Sequence, residues 1–109
     1  MEIIFCKSAS GRMPAYEYIQ ELPFDDVKII FGDLELVKKY GILEAPVVTR
    51  HLEGKLWEIK TGTRRQQRLF YCIFSGKNLI VLHACKKQKT GSQSKDVEMA
   101  HRRMKEVLE

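Results

Sequence analysis

The strongest constraint on the fold of this chain is a change of hydrophobic period at Pro46. Before it, apolar residues recur at helical spacing, and after it they run or alternate as strands do. Ala15, Tyr18, Ile19 and Leu22 share one helical stripe, which opens at Pro14, a residue suited to a first turn, and stops at Pro23. A second helix is expected from Asp25 to Tyr40, with Val27, Ile30, Phe31, Leu34 and Val37 on one face. Its acids Asp25 and Asp26 come first, its bases Lys38 and Lys39 last, and Gly41 follows, as the helix dipole and C-terminal capping favour. Gly32 weakens the segment's propensity. An antiparallel helical hairpin is the simplest arrangement.

Beyond Pro46, the runs Val47 to Leu52, Lys55 to Lys60, Arg68 to Phe74 and Leu79 to Cys85 are β-branched or aromatic. Glu53-Gly54 and Ser75-Gly76-Lys77-Asn78 are turn-like, and Thr61-Gly62-Thr63 reads as a mobile loop. Residues 2–6 predict an opening strand. Asp96 to Leu108 predicts a closing helix with Val97, Ala100, Met104, Val107 and Leu108 on one face and Ser94 as N-cap. The 109 residues fit a single domain, 1–109, of α+β class: N-terminal strand, helical hairpin, antiparallel three- to four-stranded meander, C-terminal helix.

Alternation assigns faces. Trp57 and Ile59 point one way, Glu58 and Lys60 the other; Leu69, Tyr71 and Ile73 oppose Arg68, Phe70, Cys72 and Phe74; Ile80, Leu82 and Ala84 oppose Val81, His83 and Cys85. With the helices covering the Trp57/Ile59 side, Glu58, Lys60, Arg68, His83 and Lys87 are expected on an open, basic face. A bulge in any strand would reverse its assignment.

Charge is unevenly spread. The formal net charge is +5, but residues 1–54 carry six cations against nine carboxylates, and residues 55–109 thirteen against five. No Asp or Glu lies between Glu58 and Asp96, an interval that holds nine cations. Such a segment fits a polyanionic partner, either nucleic acid or an acidic protein, or else a solvated basic face. It offers Mg²⁺ few carboxylates, which disfavours a metal nuclease. Cys6, Cys72 and Cys85 form no CxxC pair, so neither a zinc framework nor a disulfide scaffold is expected. No run approaches the roughly 18–20 apolar residues of a membrane span, and the N-terminus lacks a signal peptide's cations. A cytoplasmic location is expected, with no membrane partner and no cofactor.

Several motifs carry a family resemblance. Leu52-Glu53-Gly54-Lys55-Leu56-Trp57-Glu58-Ile59-Lys60 resembles the strand pair "L-x-G-x-L-W-E-L-R" of the HigB-like toxins, a phage-associated branch of the RelE/ParE superfamily. Arg68-Leu69-Phe70-Tyr71 is similar to that family's "R-x-x-Y" strand, and Leu82 to Thr90 to its "L-H-x-F-x-K-K-x-x-K-T" strand end. Val97 to Arg103 resembles the closing "I-x-x-A-x-x-R" helix. Cys85 stands where the family often has Phe, and no C-terminal tyrosine falls near 90–95. The resemblance implies a RelE-like fold and a type II toxin, a ribosome-dependent mRNA endonuclease. Cleavage would proceed by attack of a ribose 2′-hydroxyl on the neighbouring phosphate, without metal. The implied partners are a helix-turn-helix, HigA-like antitoxin in a toxin–antitoxin hetero-oligomer, and the ribosome with its mRNA.

That chemistry needs a base, cations at the pentavalent phosphorus and help for the leaving oxygen. Arg68 matches the family's strand arginine, and its planar fork suits phosphate oxygens; the bland alternative is a salt bridge to Glu58. Lys60 and Lys87 fall near positions where relatives place basic residues, and a dense cationic site would depress a lysine pKa. Either lysine is otherwise simply solvated. His83 is a candidate base by its ordinary pKa of about 6.5, or else a buried, hydrogen-bonded core histidine. Glu58 reads as an orienter of Arg68 or Lys60. Arg64, Arg65, Lys86 and Lys89 are expected to clamp RNA backbone. Cys72, Cys85 and Trp57 read as core, and His51 and His101 as surface. The competing functions are a non-catalytic basic RNA- or protein-binding module and a gyrase-directed toxin of ParE type.

Overall fold

Strand β1 (Glu2–Phe5) opens the chain, followed by α1 (Pro14–Gln20), α2 (Phe24–Tyr40), β2 (Val48–Glu53), β3 (Leu56–Lys60), β4 (Gln67–Phe74), β5 (Asn78–Lys86) and α3 (Ser94–Leu108). The structure is a computed structural model and describes residues 1–87 and 93–108. Every expected element is present. The caps follow local chemistry: the Met13 N–H, orphaned at the start of α1, donates to Glu17 Oε2 at 3.2 Å, and Gly41 ends α2 at φ +82°. Ser75 at φ +57° and Gly76 at φ +69° make the tight turn between β4 and β5.

The sheet has five strands in the order β1-β5-β4-β3-β2. Strands β2 to β5 form the antiparallel meander, and β1 lies parallel to β5, Glu2 opposite Asn78 and Phe5 opposite Val81. On one face, Ala15 and Ile19 of α1 and Ile30, Leu34 and Val37 of α2 pack on Ile59, Leu69, Tyr71, Leu79, Val81 and Ala84. On the other, Ala100 and Met104 of α3 pack on Leu56, Phe70, Cys72, Ile80, Leu82 and Cys85. No described helix is long and apolar enough to cross a membrane.

Four expectations are corrected here. The face carrying Glu58, Arg68 and His83 is not open, because the apolar stripe of α3 is buried on it. Strict alternation in β5 also fails. Phe70 pairs with His83 but Tyr71 pairs with Val81, so Leu82 is the extra residue of a bulge. Val81 and Ala84 therefore face the helical hairpin, while Ile80, Leu82, His83 and Cys85 face α3. Trp57 is not core: it is 37% exposed at the sheet margin, its ring against that of His51 at 4.8 Å.

The 61–67 loop is likewise pinned rather than free. Thr61 Oγ1 donates to Gln67 O (2.8 Å), Thr63 Oγ1 contacts Thr61 Oγ1 (2.9 Å) and accepts the Gln67 N–H (2.9 Å). The Gly62 N–H donates to Asp33 Oδ2 of α2 at 3.0 Å. Both threonines are buried although they are polar, and these bonds are what satisfies them.

Candidate functional site

Hairpin register brings the candidate cations to one end of the sheet. Lys60 closes β3 opposite Arg68, and Lys86 closes β5 opposite Gln67. The next residue, Lys87, donates its N–H to Gln66 O at 3.0 Å. Arg64 and Arg65 ride on the pinned loop over the same end. There Gln66 adopts φ +55°, a left-handed conformation uncommon outside glycine. Arg64, Arg65, Lys86 and Lys87 are exposed, and Lys60 is half-buried. Arg65 reaches Asp26 at 3.5 Å, and both arginines line a cleft of about 630 Å³ with Lys28, Ile29, Asp25 and Asp26. Lys89 lies outside the described residues.

Behind this rim, under α3, sits a buried polar cluster. Glu58 is 1% exposed. Its Oε2 accepts from Arg50 Nε at 2.9 Å, while Arg68 Nε stands 3.4 Å from Oε1 without forming a hydrogen bond. Oε1 has no hydrogen-bond partner among the described residues. The Arg68 side chain is only 7% exposed, and its Nη1 donates to Gln67 O at 3.3 Å. The expected Glu58–Arg68 contact is present, but as an interior pair. Arg50, opposite Glu58 on β2, is a partner the sequence reading missed although cross-strand pairing could have found it.

His83 is tied on both ring nitrogens. Nε2 lies 2.7 Å from Asp96 Oδ1, and Nδ1 lies 3.1 Å from Arg103 Nη1, which also donates to Leu82 O at 2.9 Å. A guanidinium only donates, so Nδ1 is the acceptor and the ring proton sits on Nε2, shared with the carboxylate. In this arrangement His83 joins β5 to α3 and leaves no free lone pair. Asp96 and Arg103 are seven residues apart, hence on one face of α3, and that spacing was the available signal.

The thiols are quenched. Burial, then Asp96 and Glu58, pushes Cys85 up to about 12, with Arg68 opposing; burial pushes Cys72 to about 11. Neither is a nucleophile at neutral pH. His101 is bound to Glu53 and so ties α3 to β2, while exposed His51 contacts Gly54 O at 2.7 Å. A residue first read as helix stripe joins the site: Tyr18 donates its hydroxyl to Gln67 Oε1 at 2.7 Å, and burial raises its pKa.

The sequence matches the family model described as phage derived protein Gp49-like (DUF891) over residues 17–105, from α1 through most of α3. No curated protein matches the chain.

Proposed function

The chain belongs to the Gp49-like family of phage-derived proteins, a family of RelE/HigB-like toxin-type proteins, and on that premise we propose that it is a HigB-type mRNA endonuclease acting on the ribosome. The observation that carries this reading is the convergence of Lys60, Arg64, Arg65, Lys86 and Lys87 on one end of the sheet. Five cations there neutralise the backbone of a single RNA strand. A toxin-type protein implies an antitoxin; we take it to be a helix-turn-helix protein whose acidic surface covers this rim, forming a hetero-oligomer.

The reaction follows from the groups at hand. The ribose 2′-oxygen bonds to the adjacent phosphorus, the P–O5′ bond breaks, and a 2′,3′-cyclic phosphate and a 5′-hydroxyl result. Lys60 or Lys87 takes the 2′ proton; each stands at the end of the sheet where the substrate phosphate is bound. The other, protonated, stabilises the phosphorane and supplies the 5′-oxygen's proton. Arg68, buried against Glu58, contributes positive potential and holds the β3–β4 end in register with Lys60. Arg64, Arg65 and Lys86 grip flanking phosphates, with Lys89 assigned the same task. His83 is assigned to anchoring α3.

The test is to add purified protein to mRNA with and without translating ribosomes. Cleavage confined to the ribosome-containing reaction is expected. Binding without fragments would favour the non-catalytic module, and intact mRNA with inhibited gyrase would favour the ParE-type activity.

A further inference from the structure

At the rear of the buried cluster three donors of different chemistry converge. A ring nitrogen of His83, Cys85 Sγ and a carboxylate oxygen of Asp96 all lie within 4.8 Å of one another, and it is Nε2 that faces Asp96 Oδ1, at 2.7 Å. The bulge at Leu82 is the cause: it turns His83 and Cys85 together toward α3, whose first turn carries Asp96 over them. Imidazole, thiolate and carboxylate are the ligand types zinc takes, and the sulfur argues against Mg²⁺ or Ca²⁺. Donors on one tetrahedral zinc stand about 3.5 Å apart, so the widest pair must close by about 1 Å. Gln93 Nε2, 3.6 Å from Cys85 Sγ, borders the remaining side.

We propose that His83, Cys85 and Asp96 bind a zinc-type divalent ion that clamps the end of β5 to the first turn of α3. It is a structural site, separate from the cleavage proposed above and independent of whether the protein cuts RNA. No CxxC spacing announces it, because the ligands come from a bulged strand and a distant helix.

Binding exchanges existing bonds for metal bonds. The ion takes the Nε2 lone pair, so the ring proton moves to Nδ1, where Arg103 Nη1 now donates. Arg103 must release the ring and keep only Leu82 O. The Cys85 S–H bond breaks, its proton leaves to solvent, and the thiolate pair goes to the metal. Arg68, which also acts on Cys85, favours the thiolate form that the ion needs. Arg103 therefore opposes the metal although it is not a ligand. Replacing it with glutamine removes the guanidinium and offers an amide oxygen to Nδ1–H, the partner that metal-bound histidines prefer.

Titration of the intact protein with Co²⁺, followed by displacement with Zn²⁺, tests this. One equivalent of Co²⁺ with thiolate-to-metal absorption and tetrahedral bands is expected, and Mg²⁺ should leave the protein unchanged. Cys85→Ser should abolish the charge-transfer band, and Asp96→Asn should weaken Zn²⁺ by at least about tenfold. Arg103→Gln should tighten it, a change that loss of fold cannot mimic. The site is overturned if Co²⁺ gives no thiolate band, if the band survives Cys85→Ser, or if Arg103→Gln fails to tighten binding.

Discussion

Glu58→Ala is expected to destabilise the protein by about 3–5 kcal/mol, the scale of breaking a buried ion pair from one side. The charge left behind is Arg68, whose side chain is 7% exposed and whose Nη1 donates to Gln67 O at 3.3 Å. Arg50 loses the same carboxylate but is 55% exposed, so it turns to water at small cost. Arg50→Ala should therefore cost much less than Glu58→Ala. Arg68→Ala falls between, because Glu58 keeps the 2.9 Å bond from Arg50. Had the sheet face been open, the same pair would be a surface salt bridge worth about 0–1 kcal/mol. Urea unfolding of the three variants decides it. A Glu58→Ala loss under about 1 kcal/mol would mean that α3 does not seal the pair from solvent.

The second large effect concerns the lysines. Alanine at whichever of Lys60 and Lys87 serves as base should lower single-turnover cleavage by about 10²–10⁴-fold, the usual worth of a positioned proton-transfer group. Ribosome association should change far less, since Arg64, Arg65 and Lys86 still supply backbone contacts. Lys→Arg separates the roles: a purely electrostatic lysine tolerates the change, whereas a base does not survive the higher pKa. Lys87 is exposed, so stability should be unmoved there. Wild-type cleavage by the double alanine variant would remove both residues from the chemistry.

The order of the elements and most of their bounds were legible because period, caps and turn residues act locally; α3 is the exception, beginning at Ser94 rather than being capped by it. Pro14, Gly41 and the Ser75-Gly76 turn each do in the structure what their chemistry dictates alone. The covered face was misjudged for an identifiable reason. β4 reads Arg68-Leu69-Phe70-Tyr71-Cys72-Ile73, apolar on both faces, which is how a strand buried on two sides reads. The Val97, Ala100 and Met104 stripe of α3 needed just such a second face. The bulge at Leu82 has no local signal, since 79–82 are all apolar and carry no alternation to break, and only pairing with Phe70 and Tyr71 reveals it. That Lys60, Arg68 and Lys87 fall at one end of the sheet was legible because hairpin register carries them. The shared helix face of Asp96 and Arg103 is readable from their spacing, but their partner His83 is not, because it reaches them only through tertiary packing.

The most direct measurement of the central claim is the chemistry of the cut ends. mRNA cleaved on translating ribosomes should carry 2′,3′-cyclic phosphate or 3′-phosphate upstream and a 5′-hydroxyl downstream, the ends left by internal 2′-oxygen attack. Downstream fragments bearing 5′-phosphate would mean that water, not the ribose, attacks the phosphorus, and would contradict the mechanism built on Lys60 and Lys87.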